Sequence, residues 1–165
     1  MQLGSILSSN PGEPMVSWPV EFYLLRFSPE GPKRVRVQAL LLPVSEAERQ
    51  RSNVEAMQFL RTDPNSPWRA TEQTADNGEF HRYEGTDVSI GDEQIYKFLT
   101  YALHDAEDPS KRLVREIDYP VFRKGLVRAQ VQWLHSEYTK LIEQEYPEIV
   151  SQKQKDKLVA EAQGK

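Results

Sequence analysis

The chain has 165 residues, 38% hydrophobic and 28% charged, with a net charge of -4, which suits one domain with a modest core. The acidic balance argues against a general electrostatic grip on nucleic acid, which needs a basic surface. With no cysteine, disulfides, thiolate zinc sites and cysteine nucleophiles are excluded.

Met1 to Asn10 lacks the basic start and long apolar run of a secretory leader. No stretch approaches the roughly 20 apolar residues that span a bilayer. Neither nucleic acid nor membrane is an expected partner. Residues 1–17, rich in Ser, Gly, Pro and Asn, read as a flexible N-terminal arm. Trp18 to Phe27 is a strand by its aromatic and β-branched content. Ser28-Pro29-Glu30-Gly31-Pro32 is a turn, in which proline fixes φ and glycine permits φ > 0. Val35 to Leu42 is the returning strand. A lone hairpin is marginal in water, so this one packs on its own helices or pairs with another chain, a second copy included.

Pro43 ends the hairpin. Ser45-Glu46-Ala47-Glu48 has the form of a capping box and predicts a helix from Ala47 to about Arg61, with Ala47, Val54, Met57 and Leu60 inward. Thr62 to Gly91 is the least regular stretch; it is expected to hold either short elements, with strands at Phe80–Glu84 and Asp87–Ile90, or a mobile insertion with Trp68 docked. From Asp92, a plausible cap, to His104 the residues Ile95, Phe98, Leu99, Ala102 and Leu103 follow the spacing of one buried helical face. Asp105-Ala106-Glu107-Asp108-Pro109 breaks that helix. A long helix is expected from Asp118 or Tyr119, with Pro120 in its first turn, to about Glu143 or Gln144. Its stripe is Phe122, Leu126, Ala129 and Trp133, continued by Val127, Leu134, Tyr138, Leu141 and Ile142. Gly125 weakens it by about 1 kcal/mol relative to alanine but allows a neighbouring helix to come close. Leu99, Leu103, Leu126 and Trp133 are expected to face one another. Tyr146-Pro147 ends the helix, and residues 147–165 read as a polar tail. The sum is an α+β fold, mainly α-helical, with an N-terminal β-hairpin and a long C-terminal helix, in one globular domain over 18–146.

No chemistry-bearing constellation is evident. His81, His104 and His135 sit in three different segments without a metal-ligand spacing. Asp105, Glu107 and Asp108 lack the spaced ligands, glycine and closing glutamate of a calcium loop. No glycine-rich loop follows a strand, and there is no GxSxG elbow. No catalytic residue, metal site or cofactor is expected.

Ile95-Tyr96-Lys97-Phe98-Leu99-Thr100-Tyr101-Ala102-Leu103-His104-Asp105-Ala106-Glu107-Asp108-Pro109 resembles the tail assembly chaperones of long-tailed bacteriophages. In those proteins a helix commonly ends in Ala-Leu-Arg-Asp-Pro-Asp-Asp-Pro, and a short linker and long C-terminal helix follow. The resemblance covers about Asp92 to Tyr146 and departs at His104, where arginine is common, and at Ala106, where proline is common. It implies a non-enzymatic protein of the host cytoplasm that keeps the tape-measure protein soluble and recruits tail-tube protein to it. Apolar side chains of the two helices would serve client binding or helix packing: Phe98, Leu99, Leu103, Phe122, Leu126, Trp133 and Tyr138. Two rival expectations stand beside it: a virion structural component, such as a neck or tail-completion protein, whose hairpin pairs with neighbours in a ring, and an enzyme with a dispersed site, which would need a pocket gathering His81, Asp105 and Glu107. Such chaperones are also similar to one another in making a longer product by a one-nucleotide ribosomal slip, and Gln163-Gly164-Lys165 can be encoded by the favoured slip sequence.

Overall fold

A computed structural model describes residues 2–8, 14–62 and 86–163. In chain order they form α1 (Leu3–Ser8), β1 (Trp18–Ser28), β2 (Gly31–Leu41), α2 (Glu46–Thr62), α3 (Thr86–Ala102), β3 (Leu103–Asp105), α4 (Tyr119–Gly125), α5 (Arg128–Glu145) and α6 (Pro147–Gln163). The fold is α+β, mainly helical, with an N-terminal antiparallel hairpin and a long helix towards the C-terminal end. The strands expected at Phe80–Glu84, together with Trp68 and His81, lie outside the described residues.

β1 and β2 pair antiparallel from Trp18↔Leu41 to Ser28↔Gly31. Pro29 and Glu30 make the turn, and Gly31 takes φ 118°, a left-handed value that a Cβ disfavours. Val20, Phe22, Ala39 and Leu41 alternate onto one face and are buried. The hairpin is not alone: β3 adds a third strand through Ala39↔Asp105, Leu40↔His104 and Leu41↔Leu103.

That third strand corrects the expected end of the preceding helix. α3 stops at Ala102, not at His104. The Ala102 carbonyl accepts the Leu42 N–H at 2.9 Å, the Leu103 carbonyl accepts the Leu113 N–H at 3.0 Å, and the Asp105 N–H donates to the Lys111 carbonyl at 2.9 Å. These bonds to distant segments replace the helical ones the chain gives up. The acidic run is thus the tip of a small loop, not a plain helix stop. An Asp105 Oδ1 accepts the Glu107 N–H, and an Asp108 Oδ1 accepts the Ser110 N–H and hydroxyl. The His104 ring lies within 2.9 Å of the Pro109 carbonyl and 3.1 Å of the Tyr101 carbonyl.

Both ends of the helical reading shift as well. α3 begins at Thr86, so Asp92 is interior and caps nothing, and Asp87–Ile90 is helix, not strand. Four residues are too few to set a period, and extending an existing helix adds about one hydrogen bond per residue. In α2 the capping box forms as expected: the Glu48 N–H donates to Ser45 Oγ and the Ser45 N–H to Glu48 Oε1, both at 3.2 Å. Its buried face is Ser52, Ala56 and Leu60, not the stripe of Ala47, Val54 and Met57; Val54 is exposed. Small side chains at 52 and 56 let α2 lie close on α3, its main neighbour.

The long helix expected from Tyr119 is two helices. Leu126 and Val127 are extended, with ψ of 129° and 150°. A Cβ on Gly125 would stand 2.9 Å from the Leu25 carbonyl oxygen and 3.4 Å from Leu24 Cβ, so this glycine admits strand β1 and not a neighbouring helix. The two extended residues reset the helical phase. α5 therefore buries Val131, Leu134, Glu137 and Leu141, while Ala129 and Trp133 face outward, Trp133 being 38% exposed. Leu99 and Leu103 are fully buried and Phe122 nearly so, with Leu126 partly buried against the same core; Trp133 does not join them. Glu137 accepts the Trp18 indole N–H at 2.8 Å and the Lys140 ammonium at 2.9 Å. Lys140 and Trp18 together hold its carboxyl below the usual carboxylate range. The expected polar tail is instead helix α6, which starts on Pro147, a residue suited to a first turn.

Among the described residues the most deeply buried charge is Glu93, ahead of Lys97 and Glu137. Glu93 has no exposed surface. Its carboxylate accepts the Tyr119 hydroxyl at 2.5 Å and Arg123 Nε at 2.8 and 3.1 Å. Burial, with the Glu93 charge beside it, drives the Tyr119 phenol far above its ordinary pKa.

Two predictions follow from this packing. Gly125→Ala should lower stability in urea melts by about 1–3 kcal/mol, because the close atom is backbone and cannot swing away. Tyr119→Phe should cost about 1–3 kcal/mol at neutral pH by removing a donor from a buried carboxylate. Above the free phenol's 10.0 the unfolded chain ionises Tyr119 and the folded chain does not, so wild-type stability falls as pH rises. The Phe variant should lack that share of the alkaline slope, about 1.4 kcal/mol per pH unit.

Candidate functional site: an apolar groove between helices

The sequence sets Ile95 and Phe98 three apart on α3, and His135, Tyr138 and Ile142 at three- and four-residue spacings on α5, so each set shares a helical face. The fold turns these faces toward each other without closing the gap. The result is a groove of about 750 Å³. Pro43 and Val44, the segment leaving β2, form one wall with Arg49 and Asn53 of α2. Ile95, Phe98, Gln94 and Gly91 of α3 form the floor, and His135, Tyr138, Ile142 and Tyr146 the other wall.

The aromatic arrangement is fixed. The Phe98 and Tyr138 rings meet edge to face, centroids 4.8 Å apart at 89°, and His135 lies at 6.4 Å and 61° from Phe98. The Tyr138 hydroxyl accepts the Val44 N–H at 3.0 Å. That bond ties the hairpin exit to α5 and leaves the ring's apolar side for the groove. Burial raises the Tyr138 phenol above its usual pKa, so it stays neutral. Arg49 is engaged by Glu46 within α2. The groove thus presents apolar and aromatic surface with neutral polar groups, Asn53 and Gln94, at hand. Such a lining binds an apolar partner by exclusion of water and orients it with few hydrogen bonds; it holds no nucleophile paired to a base.

Of the side chains singled out in the sequence, Phe98 and Tyr138 line the groove. Leu99, Leu103 and Phe122 are core, Leu126 packs on the core's edge, and Trp133 stands on the surface of α5 away from the groove lining. The sequence reading had no means of finding Pro43, Val44 and Tyr146 as lining, because they arrive from outside the two helices. Ile95 and Ile142 were visible in the helical stripes. Among the described residues there is no group of three His, Asp or Glu side chains that could hold a metal ion, and no helix long and apolar enough to cross a membrane. No family model, no curated protein and no solved structure matches the chain.

Tyr138→Phe should cost about 1–2 kcal/mol in denaturant melts, since it leaves the half-buried Val44 N–H without its acceptor, while the groove's apolar lining stays whole.

Proposed function

We propose that this protein is a non-enzymatic tail assembly chaperone of a long-tailed bacteriophage, acting in the host cytoplasm. In this reading it binds apolar stripes of the tape-measure protein in the α3–α5 groove and helps bring tail-tube protein to it. The observation that carries the reading is the groove itself. It opens between the two helices that bear the resemblance, and Ile95, Phe98, Tyr138 and Ile142 line it. A tape-measure protein is a very long helical chain. An amphipathic helix laid in an apolar groove presents anchors at i, i+3, i+4 and i+7, which suits a channel walled by two helices. Helix α6 adds exposed Leu158 and Val159 on a segment whose main neighbour is α5, a second apolar surface within reach of a client.

A specific observation favours one other reading, a structural component of the virion. Beyond Ala39, and among the described residues, no strand pairs with the outer edge of β2, and Phe27 and Val35 are exposed near the hairpin tip. An open edge of that kind can add a strand from a neighbouring subunit.

Co-expression with the cognate tape-measure protein separates the two. The chaperone reading expects a several-fold rise in soluble tape measure, a complex in pull-downs, and loss of both in Ile142→Glu with its circular dichroism unchanged. No complex at any salt concentration would refute it. Stoichiometric recovery of the protein from purified particles would establish the virion reading in its place.

A further inference from the structure

A second recess lies between α2, α3 and the start of α4 and shares no lining residue with the groove. It has a volume of about 480 Å³, and Glu55, Phe59 and Thr62 of α2, Lys97 and Thr100 of α3, Arg112, Arg115 and Glu116 of the segment after β3, and Tyr119 of α4 line it. Lys97 is only 8% exposed. Its ammonium stands 3.5 Å from the centroid of the Tyr119 ring and 5.8 Å from that of Phe59. No carboxylate among the described residues lies in salt-bridge contact with it. Three N–H donors are therefore set in a recess where, among the described residues, ring faces are their close partners. Cation–π contact offsets part of the lost hydration, but it satisfies no hydrogen bond.

A second cation faces the same space. Arg112 lies 3.9 Å from the Tyr101 ring centroid. Its Nε donates to the Thr100 carbonyl and its Nη2 to Thr100 Oγ1, each at 2.8 Å, which fixes the guanidinium and leaves Nη1 without a hydrogen bond among the described residues. Nearby carboxylates are occupied or stand off. Glu55 accepts the Tyr101 hydroxyl at 2.6 Å, Glu93 is held by Tyr119 and Arg123, and Asp118 takes Arg115. Burial lowers the Lys97 pKa and Arg112 adds to that, while Glu55, Glu93 and Glu116 act the other way from a distance. Lys97 and Arg112 thus line one recess with no carboxylate among the described residues in salt-bridge contact with either, and an anion between them would pair with both.

We propose that this recess is a binding site for a small organic carboxylate, held by Lys97 Nζ and Arg112 Nη1 with its apolar body against Phe59 and Tyr119. Charge selects the class. A cation meets Lys97 and Arg112. A polyphosphate carries excess negative charge toward Glu55 and Glu116, which line the same recess. A single carboxylate pairs with the two cations and leaves the glutamates unopposed at the rim. The proposal is independent of the groove and of the client it takes.

Benzoate is the probe, added to the full-length protein while the lysine side-chain ammonium signals are followed by NMR and the heat of binding by calorimetry. The Lys97 signal is assigned by its loss in Lys97→Met. The expected result is a saturable shift of that signal. Lys97→Met and Arg112→Gln should each weaken binding at least about tenfold, or about 1.4 kcal/mol. Lys124→Met, on the surface of α4, should leave it unchanged, and pyrophosphate should bind at least about tenfold more weakly than benzoate. An unsaturable or absent shift, unchanged affinity in Arg112→Gln, or pyrophosphate binding as tight as benzoate would overturn it. Arg112 is exposed, so that variant decides the matter even if Lys97→Met does not fold.

Discussion

A carboxylate with no access to water must be met by donors inside the protein, and Glu93 is met by two, the Tyr119 hydroxyl and the Arg123 guanidinium. Breaking such a buried pair by removing one partner costs several kcal/mol, so the arrangement commits α4 to a single seat on α3. From that seat the rest follows. α4 carries Gly125 close against Leu24 and the Leu25 backbone of β1, and the helix ends at that contact. The chain extends for two residues at Leu126 and Val127 and restarts as α5. The Tyr23 N–H on the outer edge of β1 then finds the Gln130 side-chain oxygen at 3.0 Å, and Trp18 finds Glu137. One buried charge thus organises the way three helices meet the sheet.

α3 packs on α2 and α5 and leads into β3, and its sides differ in kind. Leu99 and Ala102 are core. Ile95 and Phe98 face α5 and leave the apolar groove open. Glu93, Lys97 and Thr100 present charge and polarity to α4 and to the loop after β3. A helix surrounded in this way needs no uniform hydrophobic stripe. It also explains why two recesses of opposite character occur along one helix: each forms where α3 shows side chains that its neighbours do not cover. The hairpin makes the contrast at the other end of the molecule. Its base is core, whereas its tip carries Arg26, Lys33, Arg34 and Arg36 on an acidic chain. Charges along an open edge oppose indiscriminate strand pairing, so any neighbour that adds there must match them.

Local chemistry by itself determined a good part of this. The aromatic and β-branched strand from Trp18, the Pro-Glu-Gly turn, the Ser45–Glu48 capping box and the stop at Tyr146-Pro147 each depend on residues within a few positions of one another, and each stands in the structure. The α+β class and the burial of Leu99 and Leu103 were legible for the same reason, since periodic apolar spacing has one common cause. What only the tertiary structure decided are the matters that turn on partners far along the chain. α3 ends at Ala102 because Leu42 and Leu113 supply backbone bonds there. α2 buries Ser52 and Ala56 because α3 comes close, not because they are apolar. Trp133 faces out because a two-residue interruption, forced by a strand a hundred residues earlier, turned α5 to a new phase. The groove unites Pro43 and Val44 with Tyr138 and Tyr146, and the second recess unites Lys97 with Arg112. Periodicity assigns a side chain to a face of its own element, but whether that face meets core, recess or water depends on contacts that no local spacing contains.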